Sequence, residues 1–560
     1  MNSIELSELI FPDVKKSPKD YELIYPPRGL DPSAKVTRLG PSPTGFIHLG
    51  NLYGAFVDER LAHQSGGVFY LRIEDTDEKR YVENALETII SSLDFFGINF
   101  DEGVTADGDI GDYGSYTQSE RGDIYRSFAK KLIEENKAYP CFLTEDEISK
   151  IRISQEKEQL TPGIYSGYSK YRDWDKSQSI TEEIVARIKN NDKFVIRLKS
   201  RGIPNAKGED IERLEVKDGI RGKLHLPLNF QDIVILKATG IPTYHFAHVV
   251  DDHLMRTTHV VRGEEWLPSL PIHLELFDML GLIPPTYCHT AQLMKLDEDG
   301  NKRKLSKRKD PELSLSYYRD MGYHPKALRE YLLTILNSNY EEWRHANPTL
   351  DSNEFKFTLD KMSTSGTLFD LNKLNDVSKD TLLNISAHDL ALWLKSWSDE
   401  FAPKYSYIFT DMNYLEKILD IGRRDKKPRK DFENARQIVE FINYFWNISF
   451  TIEDEYPEEV VKSGDTKEIL EQYLHTYAHS DDSGAWFDKI RQISTNLGYA
   501  ARPKDYKKNP SEYKGHVGHV STVIRIAIVG RSTSPDIWAI QQIMGDSMVR
   551  GRLEKAINNL

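Results

Sequence analysis

Residues 38–51, with the sequence RLGPSPTGFIHLGN, restrict the possible folds of this chain more than any other stretch. They lie where a short apolar strand, Val36–Leu39, passes into a helix predicted over residues 51–64. The prolines and glycines fix a turn and let backbone approach a ligand closely, and free amides at the start of the helix favour an anion. The endings typical of a P-loop or a dinucleotide site are missing, and His48 takes the polar position. The stretch predicts a phosphate site of another type, with a plain turn as the equally weighted alternative.

The elements around this turn predict an α/β fold. A second strand, 68–73, and a second helix, 84–96, follow the first pair, which indicates a parallel, doubly wound sheet of the Rossmann-like kind. Residues 140–230 read as an insertion into that sheet. From about residue 320 onward, apolar residues recur at spacings of three and four, as in 325–336 and 436–446, so the remainder is predicted to be all-helical.

Composition limits the classes of protein to which the chain can belong. With 39% hydrophobic and 29% charged residues and no apolar run near the roughly 18 residues that cross a bilayer, it is predicted to be globular, without a membrane partner. The N-terminus lacks the features of a secretion signal, and the two cysteines, Cys141 and Cys288, are too few for a disulfide framework. We therefore expect a cytoplasmic protein.

A net charge of −13 argues against indiscriminate binding of nucleic acid, so any contact with RNA must be local. Two basic stretches, 423–430 and 502–514, could provide it, and the second interleaves lysines with Tyr506 and Tyr513. A run of this kind is more often a solvated face, and the composition alone favours that interpretation.

A second signature lies at residues 302–308, KRKLSKR, after the turn-like DEDG at 297–300. Six of these seven side chains can donate hydrogen bonds to oxygen, as a mobile clamp for a polyphosphate would require, although a lysine-rich surface loop is the simpler alternative. Together the two segments resemble the HIGH and KMSKS signatures of class I aminoacyl-tRNA synthetases, in their usual order.

Further blocks narrow the resemblance to the bacterial-type glutamyl branch of that family. RLGPSPTGFIHLGN is similar to the RxAPSPTGxxHxG of that branch. The family's other blocks are similar to LRIEDTDEKRY at 71–81, QSER at 118–121, PTYHFAHVVDDHLM at 242–255, VVRGEEWLPSLPIH ending at residue 273, and GRSTSPDIWAIQQIMG near the C-terminus. Only about the first thirty residues are left unmatched.

This resemblance implies an enzyme, an aminoacyl-tRNA ligase that uses ATP. The glutamate α-carboxylate would attack the α-phosphorus of ATP to give glutamyl-adenylate and pyrophosphate, and the terminal ribose of tRNA(Glu) would then take the glutamyl group. His48, Lys304 and Lys307 match the residues that hold the phosphates and are the catalytic candidates. Magnesium would accompany the ATP. Further ATP contacts are expected from Gly50, Asn51, Leu305 and Ser306.

The resemblance also implies a glutamate pocket. Arg38 and Arg262 would face carboxylate, and Glu74 would receive the amino group. Arginine suits this task because its planar fork pairs two oxygens at once. Ser42 and Tyr244 would complete the pocket.

Three departures from the family pattern stand out. His248, also assigned to the glutamate pocket, occupies a position where asparagine or a small residue is expected, and Gly40 stands where alanine is usual. Where many bacterial members have a zinc site in the inserted domain, this chain has only Cys141. We therefore predict no zinc and no other metal ligated by the protein.

The domain organisation follows from the same resemblance. In the helical back half, contacts with the anticodon arm are expected from Arg423, Arg424, Lys426, Lys427, Lys507 and Lys508. The predicted segments are an N-terminal extension, 1–34; a catalytic domain, 35–139 and 231–310; an inserted acceptor-stem-binding domain, 140–230; a stem-contact helical domain, 311–385; and an anticodon-binding domain, 386–560.

Other functions stay open at this point. The enzyme could also charge tRNA(Gln) with glutamate, or it could be a glutaminyl-tRNA synthetase, although the pocket arginines and the helical C-terminus weigh against the latter. An inactive RNA-binding paralogue would have no reason to keep both phosphate clamps. A nucleotidyltransferase unrelated to tRNA would not need so long a helical appendage. Family resemblance suggests a monomer.

Overall fold

A computed structural model represents the protein. It describes residues 1–43, 47–77, 82, 84–203, 212–306 and 308–560. The chain divides into two units. The first comprises Met1–Tyr317 and Arg329–Asp370, and the second comprises Tyr318–Leu328 and Leu371–Leu560.

Within the described residues, the strands all belong to the first unit. They are β1 (Val36–Leu39), β2 (Val68–Leu71), β3 (Glu102–Thr105), β4 (Gly108–Ile110), β5 (Ala138–Cys141), β6 (Val195–Leu198), β7 (Arg213–Asp218), β8 (Gly222–Pro227), β9 (Val234–Leu236), β10 (His259–Gly263), β11 (Thr286–Thr290), β12 (Leu293–Leu296), β13 (Lys302–Lys304) and β14 (Thr367–Leu368).

Helices occur along the whole chain. Those up to residue 346 are α1 (Ser3–Ile10), α2 (Pro18–Ile24), α3 (Leu49–Gln64), α4 (Ala85–Phe95), α5 (Gly122–Glu134), α6 (Glu145–Lys157), α7 (Gln178–Lys189), α8 (Tyr244–Leu254), α9 (Leu270–Leu280), α10 (Leu315–Met321), α11 (Pro325–Leu336) and α12 (Tyr340–Ala346). The later ones are α13 (Leu371–Asn384), α14 (Ala387–Phe401), α15 (Met412–Leu419), α16 (Ala435–Ile442), α17 (Glu458–Ser463), α18 (Thr466–Thr476), α19 (Ser483–Asn496), α20 (Pro503–Lys508), α21 (Val517–Val529), α22 (Ile537–Met544) and α23 (Asp546–Asn558).

The central sheet of the first unit is mostly parallel. β1, β2 and β3 run parallel, β4 returns antiparallel, and β10 and β11 form a second parallel pair. The amide of Thr258, just before β10, donates to the carbonyl of Val36 at 2.9 Å, so this pair lies beside β1. The α/β prediction is confirmed. The strand order reverses between β1 and β10, and in such sheets ligands bind at the carboxyl ends of the strands next to that reversal.

Local sequence patterns predicted most of the elements that carry the site. The strand at Val36–Leu39 and the helix at Pro325–Leu336 have the predicted bounds. The helix after the first turn begins two residues early, at Leu49, because His48 caps it, and Leu52, Phe56 and Val57 bury it against the sheet. The second strand ends at Leu71, and Ile73 only forms an isolated bridge with Thr117.

A separate antiparallel sheet is built from strands between residues 138 and 236. β5, β6 and β9 pair in that order, so the last strand returns to the sheet that the first one begins. β7 and β8 form a separate hairpin whose turn lies between Asp218 and Gly222. The Gly219 amide in this turn donates to the carbonyl of Tyr287, on β11, at 2.8 Å. The hairpin turn therefore reaches the central sheet.

The first 34 residues, which matched no family block, pack onto the first unit. Leu6 is fully buried, and α1 lies against α5. Arg28 pairs with Glu102 at 2.7 Å, and Arg256 donates to the carbonyl of Tyr25 at 2.6 Å. The segment therefore supports both β3 and the end of α8.

The second unit is helical throughout the described chain. Leu394, Trp397, Ile490 and Ile524 are among its buried side chains. The buried Arg552 on α23 donates to two carbonyls that close other helices. In the part of either unit that the structure describes, no helix is both long enough and apolar enough to cross a bilayer.

Candidate active site

Arg38 and Arg72 share one carboxylate at the carboxyl ends of β1 and β2. Asp252, on α8, lies 2.7 Å from Arg72 Nη1 and 3.4 Å from Arg38 Nε, and all three side chains are buried. Burial alone would lower the pKa of Arg38, but the charge of Asp252 holds that pKa above its ordinary value. Both guanidinium groups are therefore charged and balanced by a buried counter-ion.

Glu74 lies at the same edge of the sheet. Arg72 Nη2 donates to Glu74 Oε1 at 2.8 Å, and burial raises the pKa of Glu74 above its ordinary value. Gly40 belongs to this arrangement, because a Cβ there would lie 2.4 Å from Glu74 Oε1. The glycine that departs from the family pattern thus leaves the volume that the Glu74 carboxylate occupies.

Arg262, on β10, is held differently. Its Nε donates to His289 Nε2 at 3.0 Å, and its Nη1 lies 3.0 Å from His273 Nδ1. Its Nη2 donates weakly to the carbonyl of Trp266, at 3.5 Å. The side chain is buried, and within the described residues it forms no ion pair with a carboxylate. Burial lowers the pKa of Arg262, and no anion of the described residues pairs with this cation.

Two imidazole rings accept from Arg262, which fixes their tautomers. Arginine can only donate, so His289 Nε2 and His273 Nδ1 must carry lone pairs. His289 then keeps its proton on Nδ1, which lies 2.6 Å from Asp218 Oδ2. His273 keeps its proton on Nε2, which lies 2.9 Å from His245 Nδ1. Both rings are neutral when they serve as acceptors.

Burial keeps these histidines neutral. It lowers the pKa of His245 to about 4 and holds the pKa of His248 and His273 well below 6.5, with nearby arginine charges acting in the same direction. It also lowers the pKa of His289, although the bond to Asp218 opposes the shift.

Tyr244 and His248, on α8, connect Arg38 with the surroundings of Arg262. The ring of His248 lies 4.4 Å from that of His273, and its Nδ1 is 3.4 Å from Arg38 Nη2. The Tyr244 ring packs 5.7 Å from the His248 ring. Burial, and secondly the charge of Glu74, raises the pKa of Tyr244 to about 12. Five residues predicted for the glutamate pocket thus surround one site: Arg38, Glu74, Tyr244, His248 and Arg262.

The remaining predicted pocket residue, Ser42, lies in the loop after β1 with its side chain exposed. Residues 44–46, which follow it, lie outside the described chain. Ser42 and the buried cluster therefore stand at the same strand end, but no hydrogen bond of the Ser42 side chain is observed in the described part of the structure.

The HIGH-like segment forms the start of α3. The amide of His48 donates to Asn51 Oδ1 at 3.1 Å, so Asn51 caps the helix that it helps to begin. A Cβ at Gly50 would lie 3.0 Å from His48 Cε1, so this glycine leaves room for the imidazole. The N-terminus of this helix, with the half-buried His48 as its first residue outside the helix, suits one phosphate-sized ligand.

The KMSKS-like segment is fastened by Asp310. The two terminal nitrogens of Arg303, Nη1 and Nη2, donate to the Asp310 carboxylate at 2.7 Å each, and the amide of Ser306 donates to it at 2.8 Å. Lys304 is exposed at the end of β13, whereas Leu305 is buried and anchors the segment. Lys307, the third catalytic candidate, lies outside the described residues.

The fold brings the two signatures together. His48 and Ser314, which follows Asp310 by four residues, form an isolated antiparallel bridge, and α3 lies against the 3-10 turn Pro311–Leu313. Backbone pairing therefore holds the helix N-terminus next to the segment that carries Lys304. The phosphate candidates and the glutamate candidates both lie at the carboxyl edge of the central sheet.

Cys141, the one cysteine that matches the family's zinc site, contacts a serine. Cys141 is buried at the end of β5, with its Sγ 3.9 Å from Ser169 Oγ. In the described parts of the chain, no group of three or more His, Cys, Asp or Glu side chains is arranged to hold a metal ion.

The two basic stretches of the second unit differ in what their side chains contact. Arg423 donates to the carbonyls of Leu382 and Leu383 at 2.6 and 2.8 Å, near the C-terminus of α13. Arg424 is exposed and paired with Asp420 at 3.0 Å. Exposed side chains in the two stretches include those of Lys426, Lys427, Lys507 and Lys508.

Three aromatic side chains of the second unit, Tyr506, Tyr513 and Trp538, are partly packed. The Tyr506 ring lies 5.6 Å from His516, and the Trp538 Nε1 donates to the carbonyl of Asp481 at 2.9 Å. Tyr513 is half-buried. Trp538 packs against the buried core of the second unit, and Tyr506 and Tyr513 remain partly exposed.

Several residues of the site were not singled out from the sequence. Arg72, Asp252 and His273 stand inside the family-like blocks, which was a usable signal. Asp218, His289 and Asp310 stand outside them, and only the fold brings them to the arginines.

Comparison with known proteins identifies relatives along the whole chain. Residues 35–376 match the family model described as "tRNA synthetases class I (E and Q), catalytic domain". A glutamate–tRNA ligase of Acetivibrio thermocellus is 58% identical over 560 residues, covering 100% of both chains. One of Clostridium perfringens is 45% identical and covers 99% of both chains. The crystal structure of a glutamate tRNA ligase from Elizabethkingia meningosepticum, in complex with its amino acid, superposes with a TM-score of 0.71 at 25% identity, over 94% of this chain and 99% of that one.

Proposed function

Because the chain belongs to the class I tRNA synthetases for glutamate and glutamine, we propose that it attaches L-glutamate to the 3′ end of tRNA(Glu) in an ATP-dependent reaction. The relatives that match over full length carry the name glutamate–tRNA ligase, which supports glutamate as the amino acid. The reaction would pass through glutamyl-adenylate and release pyrophosphate and AMP.

The single observation that carries the choice of glutamate is the environment of Arg262. Its guanidinium is buried among neutral acceptors and has donors left over, since the three observed bonds use three of the five N–H groups that arginine offers. A buried cation without an anion is costly, and a bound carboxylate relieves that cost. We assign the glutamate side-chain carboxylate to Arg262.

The other end of glutamate would bind at Arg38, Glu74 and Tyr244. The Glu74 carboxylate suits the α-amino group, and Arg38 lies close enough to the same strand end to hold a carboxylate oxygen. Ser42 and His248 line the entrance and the floor of this pocket. The α-carboxylate would then point along the carboxyl edge of the sheet towards the start of α3.

Activation requires an in-line attack of that α-carboxylate oxygen on the α-phosphorus of ATP, with the bond to the bridging oxygen breaking and pyrophosphate leaving. No protein nucleophile takes part, so catalysis consists of positioning and of stabilising charge on phosphate oxygens. We assign that stabilisation to His48, Lys304 and Lys307. Gly50, Asn51, Leu305 and Ser306 would shape the nucleotide site around them. Magnesium would enter bound to the ATP phosphates.

Transfer to tRNA involves the inserted region and the helical unit. The terminal ribose hydroxyl would attack the adenylate carbonyl, expelling AMP. We propose that residues 140–230 bind the acceptor stem, residues 311–385 the stem, and residues 386–560 the anticodon arm. Exposed cations suit phosphate contacts, so Arg424, Lys426, Lys427, Lys507 and Lys508 are the stronger candidates. Arg423 already donates to three backbone carbonyls at the C-terminal end of α13, so we assign it to holding that helix end and not to a phosphate. We further propose a cytoplasmic monomer.

The test is attachment of labelled glutamate, with labelled glutamine in parallel, to purified tRNA(Glu) and tRNA(Gln). We expect glutamate on tRNA(Glu), and Arg262→Gln should raise the KM for glutamate about 100-fold with the KM for ATP nearly unchanged. Lys19→Gln, at an exposed position of the same unit outside the segments proposed to bind tRNA, is the control and should change neither constant. Glutamate on both tRNAs would identify a non-discriminating enzyme. Charging with glutamine, or an unaltered KM in Arg262→Gln, would contradict the proposal.

A further inference from the structure

Two of the three buried arginines of the pocket, Arg72 and Arg262, have partners that differ in charge. Arg72 donates to Asp252 and to Glu74, two carboxylates, at 2.7 and 2.8 Å. Arg262, close by, donates to two imidazoles and one carbonyl. The carboxylates balance the charge of Arg72, whereas the neutral partners of Arg262 leave its positive charge unbalanced.

The acceptors of Arg262 are themselves fixed by a second layer of bonds. Asp218, at the turn of the β7–β8 hairpin, accepts from His289 Nδ1 at 2.6 Å and from the amides of Ile220 and Arg221 at 2.9 Å each. His273 points its remaining nitrogen at His245. Each ring therefore presents a lone pair, and no proton, to Arg262.

Asp218 is the acid in this hydrogen-bond network, and it does not act as the counter-ion of Arg262. The His289 ring separates its carboxylate from Arg262, and its oxygens are already satisfied by the ring proton and by backbone amides. Burial alone would raise the pKa of Asp218, but these hydrogen bonds hold that pKa below its ordinary value. The charged carboxylate therefore orients His289.

Building on the proposed function, we infer that His273 and His289 are specificity-determining residues that position Arg262 without cancelling its charge. Glutamate and glutamine have nearly the same shape and differ in the charge at the end of the side chain. A fork already paired with a carboxylate would accept the neutral amide about as well as the anion. A fork held by neutral imidazoles leaves the anion to be supplied by the amino acid.

The chain offers isosteric substitutions that change the charge of each acceptor and little else. Asparagine and aspartate place an oxygen where His273 has Nδ1, and glutamine and glutamate place one where His289 has Nε2. His273→Asn thus keeps a neutral acceptor for Arg262, and His273→Asp adds an anion at the same point. The two variants are matched controls for each other.

The experiment measures KM and kcat for glutamate, KM for ATP and inhibition by glutamine in tRNA-charging assays of both variants. We expect His273→Asn to retain a glutamate KM within about 5-fold of the parent, and His273→Asp to raise it about 50-fold further, with kcat and the ATP KM little changed. The inhibition constant of glutamine should move by less than about 3-fold, so that discrimination against glutamine falls. Equal glutamate KM values in the two variants would overturn the inference.

A second pair guards against misfolding of the first. In an Asp218→Asn background, which removes the acid behind the ring, His289→Gln and His289→Glu should show the same split in glutamate KM. Equal values in this pair also count against the inference. Failure of the proposed function has a different signature, because the parent enzyme would then not charge tRNA with glutamate at all.

Discussion

Arg72 and Arg262 contribute differently to the stability of the fold and to ligand binding. Arg72 pairs with two buried carboxylates, and removing it takes the observed ion-pair partner from Glu74 and leaves Asp252 with Arg38 alone. Arg262 is buried, and its hydrogen-bond partners in the described chain are neutral, so its removal relieves a cost as well as losing hydrogen bonds. The first is therefore a structural arginine, and the second is kept for a ligand.

The pair Arg72→Gln and Arg262→Gln tests this difference. We expect Arg72→Gln to lower the free energy of unfolding by about 3–5 kcal/mol, as for other broken buried pairs. Arg262→Gln should change it by no more than about 1 kcal/mol, since the amide can still donate to an imidazole. Thermal and urea unfolding of the two variants provide the measurement. A larger loss in Arg262→Gln than in Arg72→Gln would contradict the assignment.

At the scale of elements, the segment after β13 depends on one acid. Asp310 ties Arg303 and the amide of Ser306 together, and the hydrogen bond from Arg303 holds the pKa of Asp310 well below 3.8. The segment carries Lys304, and the bridge between His48 and Ser314 sets it beside the start of α3. Its shape is therefore fixed at both ends.

Asp310→Asn should loosen this segment without disturbing the glutamate pocket. An amide cannot receive the bidentate fork of Arg303 on two equal oxygens, so we expect kcat to fall about 10- to 100-fold, with the glutamate KM within about 2-fold. Asp299→Asn removes the same charge from the exposed turn of the segment and should keep the parent kcat. ATP–pyrophosphate exchange in the presence of tRNA measures both. Comparable exchange rates in the two variants would show that Asp310 does not hold the Lys304 segment in its active arrangement.

For the whole molecule, buried neutral histidines link stability to pH. Burial lowers the pKa of His245, His259 and His324 to about 4, from 6.5. Below pH 6.5 the unfolded chain takes up protons on these rings and the folded protein does not, so the free energy of unfolding falls as the pH falls. Burial raises the pKa of four buried or half-buried acids, which act in the opposite direction: Asp58, Glu74, Asp232 and Glu275.

We therefore expect the melting temperature to fall by several degrees between pH 7.5 and 5.5, with about 1.4 kcal/mol lost per buried histidine at the lower value. His259→Gln should weaken this dependence, because a neutral amide has no proton to take up. His345→Gln, at an exposed position, should leave it as in the parent. A melting temperature that is constant over this interval would show that the buried rings do not control acid stability.

The sequence by itself determined the α/β class, the strand and helix on either side of the phosphate turn, and the two signatures. These features depend on contiguous residues, because a turn, a helix N-terminus and a periodic apolar face are local properties. It also indicated Arg38, Glu74, Tyr244, His248 and Arg262, through blocks that resemble a family.

Only the tertiary structure decided what those side chains meet. Asp218 comes from a hairpin in the insertion, His273 from α9 and His289 from β11, and they converge on one guanidinium from positions far apart in the chain. Likewise, Arg423 reads as part of a basic run, yet its fork holds the carbonyls at the end of α13. The charge and hydrogen-bond acceptors around a buried group depend on distances of a few ångströms between non-local side chains, and residue order does not specify those distances.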